Sequence, residues 1–276
     1  MDWSLPDGAA GEYENVVMTG EAVETPGVDF RGRSVVITGS SSGIGREMAI
    51  CFAKRRADVL VHAGHQLAAA EEVATTLRSL GVRSEALCAD LSTTAGQDAL
   101  CDAAYRWQNN IDVWINNAGV DLLTGPLAEE SFEAKLAHLW NVDVSATMRI
   151  SRRVGAAMKA AGSGVLLNMG WDQAECGMEG DSGELFAAAK GAVMAFTRSL
   201  AKTLAPSVRV NCLAPGWIRT RWAEQADDTW QNRACDEALL GRWGTPSDVA
   251  NMACFLASDA ASFITGQVVS INGGRL

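Results

Sequence analysis

The sequence predicts a single α/β domain: a doubly wound parallel sheet of about seven strands with helices on both faces. Three observations carry that prediction. Short β-rich runs alternate with segments of helical length from Arg33 to the end of the chain, a pattern that calls for right-handed crossovers and a sheet covered on both sides. A glycine- and serine-rich loop, Thr38-Gly39-Ser40-Ser41-Ser42-Gly43-Ile44-Gly45, directly follows the first apolar run. The other polar and glycine-bearing motifs fall just after later runs, where ligands lie in sheets of this kind.

The elements follow in order. Strands are expected over 34–38, 58–62, 84–89, 113–116, 165–168, 208–213 and 267–271. Helices are expected over 43–56, 67–80, 94–108, 131–160, 185–204 and 247–257, with Gly81 and Gly162 standing where helix C-caps belong. The first strand feeds the glycine loop, and the first helix starts near Gly43. Such a turn lets the backbone approach a pyrophosphate, and the helix N-terminus offers free N–H groups and partial positive charge. Asp90, 116–119, 168–172 and 215–220 all follow strands, so they converge on the same edge as the loop.

Composition narrows the function classes. The chain has 276 residues, 48% of them hydrophobic, which is enough for one sizeable core. A net charge of −10 argues against nucleic acid and against anionic membrane surfaces. Seven cysteines (51, 88, 101, 176, 212, 235, 254) are scattered and never form a C-x-x-C pair, which reads as reduced thiols. His62, His65 and His138 lack metal-ligand spacing, so no metal is expected. With no long apolar run and no signal-like start, the expected location is the cytoplasm. Residues 1–30 differ from the rest: seven acids and no Lys or Arg place −7 of the −10 there, punctuated by Gly and Pro. They read as an acidic arm, mobile or packed on a neighbouring subunit, ahead of a domain over 31–276.

On these motifs the chain resembles the short-chain dehydrogenase/reductase family, in particular its 3-oxoacyl-carrier-protein-reductase-like branch. The resemblance rests on the Thr-Gly-x-x-x-Gly-x-Gly loop, Asp90-Leu91, Asn116-Asn117-Ala118-Gly119, Asn141 in the long central helix, Lys190, Pro215-Gly216, Thr220, and the closing 242–246 and 266–274 stretches. It implies a Rossmann-type domain that binds NAD(P)(H), reduces or oxidises a small-molecule substrate and pairs subunits through the helices around 131–160 and 185–204, as a homodimer or homotetramer. It assigns Gly39, Ser41, Ser42, Gly43, Ile44 and Gly45 to the pyrophosphate and ribose. Asp90 and Leu91 would flank adenine, and Asn117, Ala118 and Gly119 would brace the ribose and the sheet. Lys190 would hold the nicotinamide ribose, with Pro215, Gly216, Ile218 and Thr220 near the carboxamide. The end of the second strand reads His62-Ala63-Gly64-His65 without the acid that binds a 2′-hydroxyl. His65, with Arg46, favours NADP(H) over NAD(H).

The sequence departs from the family where the proton moves. The family's tyrosine, four residues before the lysine, is Phe186, and the only tyrosines are Tyr13 and Tyr105. The family's serine after the fifth strand is lost from Asn168-Met169-Gly170-Trp171. Loss of a general acid costs ~10²–10⁴ in rate. Three readings follow. Another acid substitutes, with Asp172 the first candidate in the acidic stretch 171–184. The substrate is an iminium or an activated carbonyl that needs no protein acid. Or the protein binds NADP(H) without turnover, as a sensor or an inactive subunit. Trp217, Trp222 and Trp230, with Trp140, Trp171 and Phe186, are expected either to form an aromatic pocket or to serve as ordinary core and interface residues.

Overall fold

The computed structural model describes residues 28–275 except 125, 222, 224 and 225. Seven parallel strands form one sheet: β1 Ser34–Ile37, β2 Asp58–Ala63, β3 Ser84–Cys88, β4 Val113–Asn116, β5 Gly164–Met169, β6 Val208–Pro215 and β7 Val268–Ile271. Their order is β3-β2-β1-β4-β5-β6-β7. The order reverses between β1 and β4, so the crevice beyond their carboxyl ends is the natural ligand position.

Alternation along each strand makes two cores. Val35 and Ile37 face the helices α1 (Gly43–Lys54) and α2 (Leu67–Ser79). Val36, Leu60 and Trp114 face the other layer, α3 (Thr94–Trp107) with the helices after β4 and β5. Strands covered on both sides read as continuous Val/Ile/Leu runs, which is why the sequence shows them so clearly.

Two predicted helices differ from expectation, each for a local reason. The predicted 131–160 helix is α4 (Phe132–Leu139), a π-helical stretch Trp140–Ala146, and α5 (Thr147–Ala161), closed by left-handed Gly162. A π-bulge absorbs an extra residue within a helix and is frequent at functional sites; this one carries Asp143. The helix expected from 185 begins at Asp181, so α6 is Asp181–Leu204, with Asp181 and Glu184 complementing the positive end of its dipole. Two further helices follow among the described residues: α7 (Asp228–Asp236), capped by Asp227, and α8 (Pro246–Ala257), opened by a Thr245/Asp248 capping box.

Most of the acidic arm lies outside the described residues. Of its last three, Phe30 is core, its ring 4.9 Å from Phe52, and Asp29 pairs with Arg56. The folded domain therefore already includes residues 28–30. Among the described residues no helix is long and apolar enough to cross a membrane, and no cluster of metal-ligating side chains occurs.

Candidate active site

The glycine loop leaves β1 and enters α1 with its amides held open. A Cβ on Gly45 would stand 2.3 Å from the Gly39 carbonyl oxygen, so only glycine lets the loop fold this tightly. Ser42, the N-cap of α1, makes no side-chain capping bond, and no acid occupies the first turn. By contrast Thr93, Ser131 and Thr245 each cap their helices through a side chain. The bare N-terminus of α1 thus fits an anionic diphosphate, which its N–H groups and dipole would hold.

Neighbouring polar side chains shape the loop. His62, fully buried on β2, accepts the Gly39 N–H at Nδ1 (3.0 Å), which leaves the proton on Nε2 to donate to the Ala89 carbonyl (2.9 Å). Burial drives its pKa down to about 4, so the ring is neutral at ordinary pH. Thr38 Oγ1 accepts the N–H groups of Asn117 and Ala118, both at 2.9 Å, and Asn117 Nδ2 donates to the Thr38 and Gly39 carbonyls. The 116–119 motif is in this way bound to the loop. Asp90, which the resemblance assigns to adenine, is half-buried; the Ser92 hydroxyl and N–H hold its carboxylate below the usual range. Leu91 is buried, whereas His65 and Arg46 are exposed.

Behind the site, a buried polar chain fixes the ends of β4 and β5. Trp114 Nε1 donates to Asn116 Oδ1, and Asn116 Nδ2 donates to Ser151 Oγ and Asn168 Oδ1. Asn168 Nδ2 in turn donates to Thr197 Oγ1 on α6. Satisfied networks of this kind rigidify what they join, here α5, the sheet and the helix that carries Phe186 and Lys190.

The reaction end departs from expectation. Lys190 Nζ lies 2.7 Å from Asp143 Oδ2, and both residues are buried. Asp143 Oδ1 accepts the Val120 N–H (2.9 Å), and Oδ2 would be 2.9 Å from a Cβ on Gly119. Asn141, expected beside Lys190, is instead exposed. The π-bulge turns Asp143 inward in its place. No aligned hydrogen bond reaches Oδ2, so the Lys190 ammonium is what compensates its charge. Phe186 stands one turn before Lys190 on α6, packed edge-on to Trp171 with ring centroids 6.2 Å apart. Two apolar rings therefore fill the positions where a hydroxyl pair was expected.

Sequence similarity covers this whole assembly. The family described as enoyl-(acyl carrier protein) reductase matches residues 39–275. The chain belongs to the short-chain dehydrogenase/reductase family. It is 32% identical over 246 residues to a 3-oxoacyl-(acyl-carrier-protein) reductase of Chlamydia trachomatis, covering 88% of this chain and 96% of the relative. It is 33% identical over 271 residues to a cyclohexanol dehydrogenase of Rhodococcus, covering 91% and 98%. A 7α-hydroxysteroid dehydrogenase solved with NADH superposes with a TM-score of 0.82 at 29% identity, over 90% of this chain and 96% of that one. A gluconate 5-dehydrogenase of Burkholderia cenocepacia, solved with NADP and tartrate, superposes with a TM-score of 0.80 at 28% identity, over 90% and 96%.

Within this short-chain dehydrogenase/reductase frame, the segment after β6 carries the other expected residues. Pro215 ends β6, and Ile218 bridges Gly244. The Thr220 N–H donates to the Ile218 carbonyl. Asp172 opens a short 3₁₀ turn after Trp171, and its Oδ2 lies 3.1 Å from where a Cβ on Gly216 would stand. It accepts from Asn272 Nδ2 (3.1 Å), while Oδ1 is buried without a partner. Burial raises its pKa, against the pull of Asn272 and Arg275. The rest of the acidic stretch is less available: Glu175 pairs with Arg198 and Glu179 with Arg233.

The expected single aromatic pocket divides in two. Trp217 packs on Trp230 (5.4 Å) and Trp243 (6.3 Å) and donates to Glu237, forming a separate aromatic cluster after β6. Trp171 and Phe186 form the second group, Trp140 is exposed, and Trp222 lies outside the described residues. Sequence reading missed His62 as the lock of the loop and Asp143 as the partner of Lys190. The signal for Asp143 was a lone acid between Val142 and Val144 on an otherwise apolar helix face.

Proposed function

We propose that this chain is an NAD(P)(H)-dependent oxidoreductase acting on a small carbonyl- or imine-type substrate without a tyrosine proton donor. One observation carries the proposal: the α1 N-terminus is bare and its loop glycine-tight, while Phe186 and Trp171 put apolar rings where a hydroxyl pair was expected. When bound, the dinucleotide supplies or accepts the hydride. Gly39 to Gly45, Asp90, Leu91 and 117–119 hold its adenosine diphosphate part, and Lys190, Pro215, Gly216, Ile218 and Thr220 its nicotinamide end. Exposed His65 and Arg46, with no acid at the end of β2, favour NADP(H) over NAD(H).

Asp172 is the proton source in this reading. Its carboxyl lies against Gly216, and burial raises its pKa, the direction a general acid requires. The Lys190–Asp143 pair favours a second reading, binding without turnover, because the ammonium that would acidify a reacting hydroxyl is already neutralised. The chain acts in the cytoplasm as a homodimer or homotetramer. Phe132, Leu136 and Trp140, exposed along one face of α4 and its extension, support subunit pairing there.

Titration of NADPH and then NADH into the protein, followed by nicotinamide fluorescence, tests the shared premise. Micromolar binding, tighter for NADPH, is expected. Failure of both to bind overturns both readings. With binding secured, turnover of activated ketones and imines that Asp172→Asn abolishes supports the first reading; inertness toward the whole set supports the second.

A further inference from the structure

Helix α1 packs against α8, and two cysteines meet at the contact. Cys254 Sγ donates to Cys51 Sγ at 3.3 Å, although the two residues are 203 positions apart. Arg55, one turn along α1, donates to Cys51 Sγ at 2.7 Å and to the Cys51 carbonyl, and it also reaches Asn251 on α8. The two sulfurs are thus unlike. The Cys254 thiol and the Arg55 guanidinium favour a thiolate at Cys51 and draw its pKa down against burial, while Cys254, enclosed in the core, is pushed well up. Cys51 retains 7% of its surface and Cys254 1%, so a small oxidant meets Cys51 first.

We propose that Cys51 and Cys254 are a peroxide-oxidisable dithiol, with Cys51 as the reacting thiol and Cys254 as the resolving one. The Cys51 thiolate attacks one oxygen of a hydroperoxide. An S–O bond forms, the O–O bond breaks, and the departing oxygen leaves as water or an alcohol after taking a proton. Cys254 then attacks the Cys51 sulfenic acid. An S–S bond forms, the S–O bond breaks, and the oxygen leaves as water with the Cys254 proton. Two thiols and one hydroperoxide thus give one disulfide, one water and one further water or alcohol. The sulfurs, already 3.3 Å apart, must close to about 2.05 Å to bond.

The link would join two parts of the site. The N-terminus of α1 is the glycine loop, and α8 follows the Gly244–Thr245 stretch that braces Ile218. Closing so long a loop restricts the unfolded chain, so the oxidised form should melt at a higher temperature.

The test is treatment of the intact protein with stoichiometric hydrogen peroxide, alkylation, and peptide mapping without reductant. The expected result is a peptide joining Cys51 to Cys254, lighter by two hydrogens, released by dithiothreitol and accompanied by an upward shift in Tm. Cys51→Ser and Cys254→Ser should each lose the link and the shift. Cys176→Ser, which removes the exposed thiol held by Arg275, should keep both. The proposal is overturned if Cys51 and Cys254 remain fully alkylatable after unfolding, if Cys51 ends as a sulfinic acid with no link, or if oxidation falls on Cys176 alone.

Discussion

The glycine-loop end and the Lys190 end of this site use buried polar groups in opposite ways. At the loop, Thr38, His62 and Asn117 bond to backbone groups and leave the α1 amides bare for an anion. At Lys190, a buried carboxylate faces the ammonium directly, and the flanking positions are aromatic. The first arrangement depends on backbone shape, the second on the proton affinity of one or two groups. Holding a dinucleotide and moving a proton are therefore separable tasks; this chain keeps the glycine-tight loop and bare helix N-terminus and changes the residues at the other end.

The comparison is broken most severely by restoring hydroxyls at the reaction end. Phe186→Tyr with Trp171→Ser should raise ketone reduction by about 10²–10⁴-fold, the usual worth of a general acid. Adding Asp143→Asn should sharpen the gain, because Lys190 would then depress the new phenol without a competing carboxylate. The measurement is kcat/KM on a ketone panel with NADPH. No gain at unchanged cofactor affinity would mean that the cleft differs beyond these two positions.

Next in size is the ion pair itself. Asp143→Ala or Lys190→Met alone leaves a buried charge unpaired and should cost about 3–5 kcal/mol, read by urea unfolding. Asp143→Leu with Lys190→Met removes both charges and should lie much closer to the parent. Equal losses for the double and the single variants would show that the pair carries no mutual compensation.

The two ends also differed in how far sequence revealed them. Strands covered on both faces announce themselves through runs such as Val35-Val36-Ile37, and the glycine loop is contiguous, so the fold and the tight turn into α1 were legible residue by residue. The reaction end is assembled from α6, the turn after β5 and a helix irregularity. The family resemblance pointed to Asn141; the π-helical stretch Trp140–Ala146 brings Asp143 to Lys190 instead. Asp172 was named because it falls beside the missing serine, but its bond to Asn272, one hundred residues on, left no local trace. His62 looked like an ordinary strand residue because its task is bonding to a backbone N–H in another segment.

A smaller effect should come from His62, through pH. Its folded pKa of about 4 lies below the usual 6.5, so between those values the unfolded chain binds a proton that the folded chain refuses. The stability tied to the neutral ring is intact above pH 6.5 and is lost as pH falls toward 4. At about 1.4 kcal/mol per pH unit, the loss tends to a ceiling on the order of 3 kcal/mol. His62→Gln should flatten that part of the stability profile, measured by denaturant unfolding across the window. An unchanged slope would place the acid sensitivity in the carboxylates instead.

The smallest effect expected concerns the hydroxyl that joins the loop to the motif after β4. Thr38→Val keeps shape but strands the N–H groups of Asn117 and Ala118, costing about 1–3 kcal/mol. Thr38→Ser keeps the acceptor and removes one methyl, for about 1 kcal/mol or less. If the loop end is a positioning frame, dinucleotide affinity should fall with Thr38→Val and hold with Thr38→Ser, while the urea sensitivity of the Asp143 and Lys190 variants stays the same in either background. Thr38 and Asp143 do not bond to each other but hold the same segment after β4, at Ala118 and Val120, so additivity of their effects is the sharpest test of the separation. A strong departure from additivity would show that the loop and the buried ion pair form one unit, and the separation of binding from proton chemistry would fail.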